Sequence, residues 1–181
     1  MKGLFVFTFI LAFAQGGLIV FLPLFANNQR LTMSQIGILA SSFIFCAGIL
    51  QAPFGWLANR LDKVKMVIIS TLLVGMGLVF IPHAHGFIPL LAIGSVLGMA
   101  SALGVPAANA LVVEHSREIG LGAVSGSMNA CTSSGNILGP LAAGIVMDLI
   151  NLASAFYLYA IIFIIGTIVF FLYTKEHMSS P

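Results

Sequence analysis

The chain has 181 residues, of which 60% are hydrophobic and 7% are charged, with a mean hydropathy of +1.12 and a net charge of +2. Soluble domains carry about 25% charged residues, so this composition excludes a water-soluble globular protein and makes lipid the solvent of most of the chain. The small net charge gives no indication of nucleic-acid binding. Cys46 and Cys131 lie in apolar stretches, which favours buried free thiols over a disulfide framework.

Runs without any charged residue divide the chain into predicted membrane spans. Four of these runs hold 26 to 29 residues, enough for one spanning helix of about 20 apolar residues each. The fifth run, 66–113, is long enough for two helices and is interrupted by the turn sequence Pro82-His-Ala-His-Gly86. The pattern predicts a single all-α membrane domain over residues 1–181, with six transmembrane helices at about 4–26, 34–58, 66–82, 87–112, 120–147 and 152–173.

The cations predict how these spans are oriented. Six alternating spans place six cations on one side of the membrane and only Arg30 on the other; the six are Lys2, Arg60, Lys63, Lys65, Arg117 and Lys175. Short loops rich in Lys and Arg remain in the cytoplasm. We therefore expect a multi-pass protein of the inner or plasma membrane with both termini cytoplasmic and Ala84 external.

The loop between the second and third spans reads Gly55-Trp-Leu-Ala-Asn-Arg-Leu-Asp-Lys-Val-Lys65. It resembles the signature Gly-x-Leu-Ala-Asp-Arg-x-Gly-Arg-Lys, which major facilitator superfamily transporters carry between the second and third helices of each half. The matching positions are Gly55, Leu57, Ala58, Arg60 and Lys63. The sequence departs from the signature at Asn59, Asp62 and Val64.

The resemblance implies a conformational role for this loop. In the family, the acidic residue and the cations latch the loop to neighbouring helix ends and hold one access state closed, and Gly55 would let a neighbouring helix approach closely. Asn59 replaces the family's Asp and cannot form an ion pair. We therefore expect either a weaker latch or an anionic role for Asp62.

The predicted fifth helix contains Gly135-Asn-Ile-Leu-Gly-Pro140-Leu-Ala-Ala-Gly144. This stretch resembles the family motif Gly-x-x-x-Gly-Pro-x-x-Gly-Gly, which in the first half of a transporter is associated with antiporters. Pro140 removes a helix hydrogen bond, while Gly135 and Gly139 permit a close helix contact. An ordinary kinked packing helix explains the same residues equally well.

The resemblance covers the whole chain but only half of a family member, which has twelve helices. The degenerate loop signature and the short segment after the last helix favour a module like helices seven to twelve. Such halves consist of two three-helix inverted repeats, and Ile49-Leu50-Gln-Ala-Pro53 echoes Ile137-Leu138-Gly-Pro140. The implied partner is a complementary six-helix half or a second copy of the chain.

Polar residues within the spans mark the predicted substrate pathway. Gln15 lies near the middle of the first helix, where Phe9 and Phe13 form an aromatic face that suits either a lipophilic substrate or packing. On the fifth helix one face carries Ser125, Asn129, Thr132 and Asn136. Because a polar face is costly in lipid, these residues either line the pathway or make interhelical hydrogen bonds.

These features predict secondary active transport of a small molecule by alternating access, with drug or metabolite efflux as the best expectation. No carboxylate lies deep in a span, so any proton-coupling acid is expected in the other half. The protein is not expected to be an enzyme, since Gly122-Ala-Val-Ser-Gly126 departs from the Gly-x-Ser-Gly of intramembrane proteases. His83 and His85 are too few for a closed metal site, and no cofactor is implied. The alternative is a membrane scaffold or channel without coupled transport.

Overall fold

The computed structural model describes residues 2–116 and 120–178, and within these ranges the chain is helical and contains no strand. Each of its six long helices is long and apolar enough to cross a membrane. The helices are α1 (Lys2–Asn28), α2 (Met33–Ala58), α3 (Lys63–Phe80), α4 (Phe87–Ser116), α5 (Leu121–Leu149) and α6 (Leu152–Met178). The predicted all-α fold with six spans is confirmed; Arg117, one of the cations used for orientation, lies outside the described residues.

Local hydrogen bonds explain where α1 ends and where α2 and α3 begin. α1 ends as Arg30 adopts a left-handed φ of 62° and the Leu31 amide donates to the carbonyl of Ala26 at 3.2 Å. α2 then begins with a capping box in which Thr32 accepts a bond from the Gln35 amide and the Gln35 side chain accepts one from the Thr32 amide. α3 begins at Lys63, earlier than predicted, because Asp62 caps it.

The turn between α3 and α4 is held by a side chain from the first connection. The Gln29 side-chain amide donates to the Ala84 carbonyl at 2.7 Å, and its oxygen accepts from the Gly86 amide at 2.6 Å. Gly86 has a φ of +87°, a conformation suited to glycine. The α1–α2 and α3–α4 turns are thereby joined, and Ala84 is buried.

The helices pair in a pattern that repeats between the two halves of the chain. The most extensive contacts are those of α1 with α5 and of α2 with α4. The next are α1 with α6 and α3 with α4, followed by α3 with α6. Exchanging the first three helices for the last three maps each of these contacts onto another one or onto itself. This is the arrangement of two three-helix inverted repeats.

Glycines bring the backbones of α1 and α5 into contact. A Cβ added at Gly139 would collide with the Phe13 carbonyl, and one added at Gly135 would lie 2.7 Å from the Phe9 oxygen. From the other side, a Cβ at Gly16 would lie 2.8 Å from the Cα of Asn136. Helices approach this closely only where small residues face each other.

The counterpart contact, between α2 and α4, is built in a related way. A Cβ added at Gly98 on α4 would collide with the Phe43 carbonyl on α2.

Tyr159 on α6 adds a third helix to the α1–α5 contact. Its buried hydroxyl donates to the Gly139 carbonyl at 3.1 Å, and a Cβ added at Gly17 would collide with its ring. Thus α1, α5 and α6 are fixed together at one level.

A pair of glycine substitutions tests the α1–α5 contact. We expect Gly139→Ala to destabilise the protein by about 1–3 kcal/mol, because the new methyl group overpacks rigid backbone. The matched control is Gly126→Ala on the same helix, where an added Cβ meets nothing within 4 Å and alanine favours the helix by about 1 kcal/mol. Thermal unfolding in detergent measures both, and equal effects of the two substitutions would contradict the packing description.

Candidate functional site

Two of the six helices are poorly covered by the rest of the bundle. Only 11% of the residues in the apolar window of α2 are buried and 17% of those in α5, against 39–44% in the other four helices. Each of them belongs to one of the two main helix pairs: α2, from the first repeat, packs against α4, and α5, from the second repeat, packs against α1. Much of the surface that α2 and α5 present lies outside the core of this bundle.

The exposed surface of the first half of α5 differs in chemistry from the exposed faces of α3 and α6. α3 and α6 expose large apolar side chains; they include Ile69, Leu72, Met76, Phe80, Ile161, Ile165, Ile168 and Leu172. Along 122–136 of α5, by contrast, the exposed residues are small or polar, and large apolar side chains reappear from Ile137 onward. The first half of α5 therefore lacks the surface expected of a helix in contact with lipid.

The predicted polar stripe lies on this part of α5. Ser125, Asn129 and Asn136 are exposed, whereas Thr132 is half-buried and its hydroxyl donates to the Met128 carbonyl of its own helix at 3.0 Å. Among the described residues, the Asn129 and Asn136 side chains make no hydrogen bond to another helix. The interhelical hydrogen bonds that were the alternative explanation of the stripe are thus absent within this part of the chain.

Gln15 joins the stripe at the level of the close α1–α5 contact. Its side chain is exposed, and the next residue, Gly16, lies against the backbone of Asn136. Gln15 also borders a gap of about 10 Å³ formed with residues of other helices, among them Phe43, Ser101 and Phe163. Two candidate pathway residues that are far apart in sequence therefore lie on neighbouring turns of α1 and α5.

Phe9 and Phe13 lie elsewhere. Phe13 is buried, with its ring centroid 6.0 Å from that of Tyr159 in an edge-to-face arrangement and 6.1 Å from that of Phe9. Phe9 is half-buried and packs against the same core. The structure places both rings among the packing residues of α1 and does not bring them to the exposed face with Gln15.

An apolar cavity of about 120 Å³ opens between α1 and α2, lined by Leu18, Ile19, Leu22, Pro23, Ala40, Phe43 and Ile44. Sites for drug-sized ligands usually measure about 300–1,000 Å³, so this space is too small for one. Its position beside Gln15 and Leu18 extends the candidate surface from polar to apolar chemistry. Taken together, these surfaces form one wall of a site.

The α2–α3 loop forms an ion pair across helices, with a partner that sequence analysis missed. Lys63 Nζ lies 2.6 Å from Glu114 Oε1 near the end of α4. α4 continues through Ser116, beyond the predicted end at about 112, so Glu114 lies within the helix. Glu114 directly follows the charge-free run 66–113, and that position was the available signal.

The other loop residues have local roles. The Asp62 carboxylate accepts bonds from the amides of Val64 and Lys65 at 3.0 and 3.4 Å, and lies 3.8 Å from Lys65 Nζ. Asn59 is the C-cap of α2. Near Gly55 the closest atom to an added Cβ is 3.8 Å away, on Pro106, so nothing within the described bundle requires glycine there.

The structure also describes the surroundings of the remaining glycine-proline motif residues and of the histidine turn. Gly144 has ordinary van der Waals space, with Phe21 4.0 Å from an added Cβ. Pro140 lies inside α5 and cannot donate to the Asn136 carbonyl. His83 Nδ1 lies 3.1 Å from the Val79 carbonyl. In the ranges that the structure describes, no three His, Cys, Asp or Glu side chains are grouped as metal ligands.

Comparison with known proteins places this fold and surface in a family. The chain matches the Major Facilitator Superfamily model over residues 4–181. It is 24% identical over 156 residues to an uncharacterized MFS-type transporter of Methanocaldococcus jannaschii, covering 86% of the chain and 40% of that protein.

Two relatives carry functional names. Multidrug resistance protein MdtG of Serratia proteamaculans is 28% identical over 166 residues, covering 88% of this chain and 40% of that protein. Quinolone resistance protein NorA of Staphylococcus aureus is 27% identical over 143 residues, covering 78% and 37%. The chain thus spans about 40% of the length of the relatives it matches. With six membrane-spanning helices in two repeats and a family match over nearly its full length, the chain belongs to the Major Facilitator Superfamily.

Proposed function

We propose that this chain is one six-helix half of a twelve-helix transporter, and that it exports a small lipophilic compound by alternating access. The observation that carries the proposal is the exposed polar surface formed by Gln15 and the first half of α5. Such a surface is unfavourable against lipid and suits a water-filled cavity or a second half. The names of MdtG and NorA favour a drug-like substrate.

The site then consists of one wall from this chain and one from its partner. Gln15, Asn129 and Asn136 supply amide donors and acceptors, while the small cavity between α1 and α2 supplies apolar surface. A few polar groups on an otherwise apolar surface are typical of sites for drug-sized ligands. Phe9 and Phe13 support this wall from behind, because they pack in the core.

The partner is a complementary six-helix half or a second copy of this chain. α2 and α5, which the bundle leaves uncovered, are the surfaces that such a partner would cover. Protons are the proposed coupling ion, with the required carboxylate contributed by the partner. The proposed orientation places the α2–α3 loop in the cytoplasm of the cell, below the inner or plasma membrane.

A conformational role is proposed for the pair Lys63–Glu114. It joins the start of α3 to the end of α4 on the cytoplasmic side, at 2.6 Å, with the Lys63 side chain only 20% exposed. α4 belongs to the second repeat and α3 to the first, so the pair holds the two repeats in register at this end. The Lys63–Glu114 pair would thus replace the ion pair that the family's Asp forms, since Asn59 stands at that position here.

Asparagine-to-leucine substitutions test the proposed pathway. Asn136→Leu keeps the bulk and removes the amide, so we expect the relative resistance to a quinolone and to a lipophilic cationic dye to shift roughly fivefold, as expected for one lost hydrogen bond of about 1 kcal/mol. Cells expressing the chain together with a first half of the family provide the measurement. The matched control is Asn28→Leu, which removes an exposed amide at the C-terminal end of α1, outside the proposed pathway.

The same variants distinguish a pathway residue from a packing residue. Thermal stability in detergent should be unchanged by Asn136→Leu, because its side chain makes no interhelical bond in the described bundle. A loss of about 0.6–2 kcal/mol with an unaltered resistance profile would remove Asn136 from the pathway and favour a scaffold role for this face.

A double-mutant cycle tests the ion pair. Lys63→Met and Glu114→Gln should each destabilise the protein, with a coupling energy of about 1 kcal/mol at most, the upper value for partly exposed pairs. Lys65→Met with Asp62→Asn forms the control cycle, since that pair is 3.8 Å apart and Lys65 is 78% exposed. A coupling energy for Lys63–Glu114 no larger than the control value would show that it is not a latch.

A further inference from the structure

The end of α2 and the turn that follows it carry an exposed aromatic–cation pair. Trp56 is 59% exposed, and the guanidinium carbon of Arg60 lies 4.1 Å from the centroid of its ring. Leu61, the next residue, is 52% exposed. Cation–π attraction holds the guanidinium over the indole face, and the N–H donors of a planar guanidinium lie along its edge.

Arg60 differs from its neighbours in having no acidic partner within the described part of the chain. Asp62 caps α3 and lies 3.8 Å from Lys65 Nζ, whereas Glu114 pairs with Lys63. Among the residues that the structure describes, no carboxylate lies within ion-pair distance of Arg60. The guanidinium therefore keeps several of its five N–H donors available to a ligand.

The position of the pair identifies the chemistry of that ligand. α2 ends at Ala58 and the next span begins at Lys63, so Trp56 and Arg60 lie at the surface of the bilayer. Tryptophan prefers this interface, and lipid phosphates lie at the same depth. A planar guanidinium binds a phosphate through two parallel hydrogen bonds.

We propose that Trp56 and Arg60 form a binding site for the headgroup of an anionic phospholipid. Arg60 binds the phosphodiester, and Trp56 packs against the glycerol and the upper acyl chains. An anionic lipid is preferred to a zwitterionic one because the latter carries its own cation beside the phosphate, which competes with Arg60. The site is independent of the transported solute.

The chain contains one tryptophan, so its fluorescence reports directly on this site. The purified chain is reconstituted in phosphatidylcholine vesicles, and a brominated lipid is added in increasing fractions. In one series this lipid is phosphatidylglycerol and in the other phosphatidylcholine, each brominated near the carbonyl end of its acyl chains. Bromine quenches tryptophan on contact. We expect phosphatidylglycerol to bind roughly fivefold more strongly than phosphatidylcholine, the factor given by about 1 kcal/mol per interfacial cation.

Two variants separate a specific site from general loop charge. Arg60→Gln should abolish the preference for phosphatidylglycerol, whereas Lys65→Gln removes the same charge from the same loop and should retain most of it. Equal quenching by both lipids with the unmodified chain would overturn the proposal, as would equal losses in the two variants.

Two further outcomes show whether Arg60 binds free phosphate or lipid, and whether lipid or protein lies against Trp56. Millimolar inorganic phosphate should leave the quenching unchanged; if it abolishes the preference, Arg60 is a site for free anions and not for lipid. Absence of quenching by either lipid would mean that protein covers Trp56, which also overturns the proposal.

Discussion

The hydrocarbon core of a bilayer offers no hydrogen-bonding partner, and this constraint explains the division of surfaces in this bundle. α3 and α6 meet it with exposed isoleucine, leucine and phenylalanine. The first half of α5 does not, because its exposed side chains are small or carry hydroxyl and amide groups. Placing a second six-helix unit or water against α5 removes the conflict, and the proposed transport function follows from that requirement.

Close backbone packing is what leaves those faces available. Gly135 and Gly139 bring α5 onto α1, and Gly98 brings α4 onto α2, so each main pair is held by contacts on one narrow stripe of each helix. The opposite stripes of α2 and α5 then remain uncovered. A pair of helices joined by backbone contact moves as one body, which suits a transporter that changes access by rocking whole bundles.

The fold was predictable because apolar length and charge placement are properties of sequence alone; the spans and the α5 stripe follow from counting along a helix. Partners across helices were not predictable. Lys63 pairs with Glu114 and Phe13 packs against Tyr159 because the tertiary fold brings these helices together. Local sequence patterns contain no information about such contacts. Asp62 caps its own helix because that bond is local and costs little ordering entropy. The motif led us to expect a neighbouring helix in close contact with Gly55. The nearest one, α4, leaves ordinary van der Waals space there, with Pro106 3.8 Å from an added Cβ.

The central claim is that a complete substrate cavity needs two six-helix units. The most direct measurement is uptake of a fluorescent lipophilic dye into liposomes under an imposed pH gradient, with the oligomeric state of the chain determined in the same preparation. The account predicts no gradient-driven uptake by a monomer of this chain, and uptake when a complementary first half is reconstituted with it. Gradient-driven uptake by a demonstrated monomer would contradict the claim.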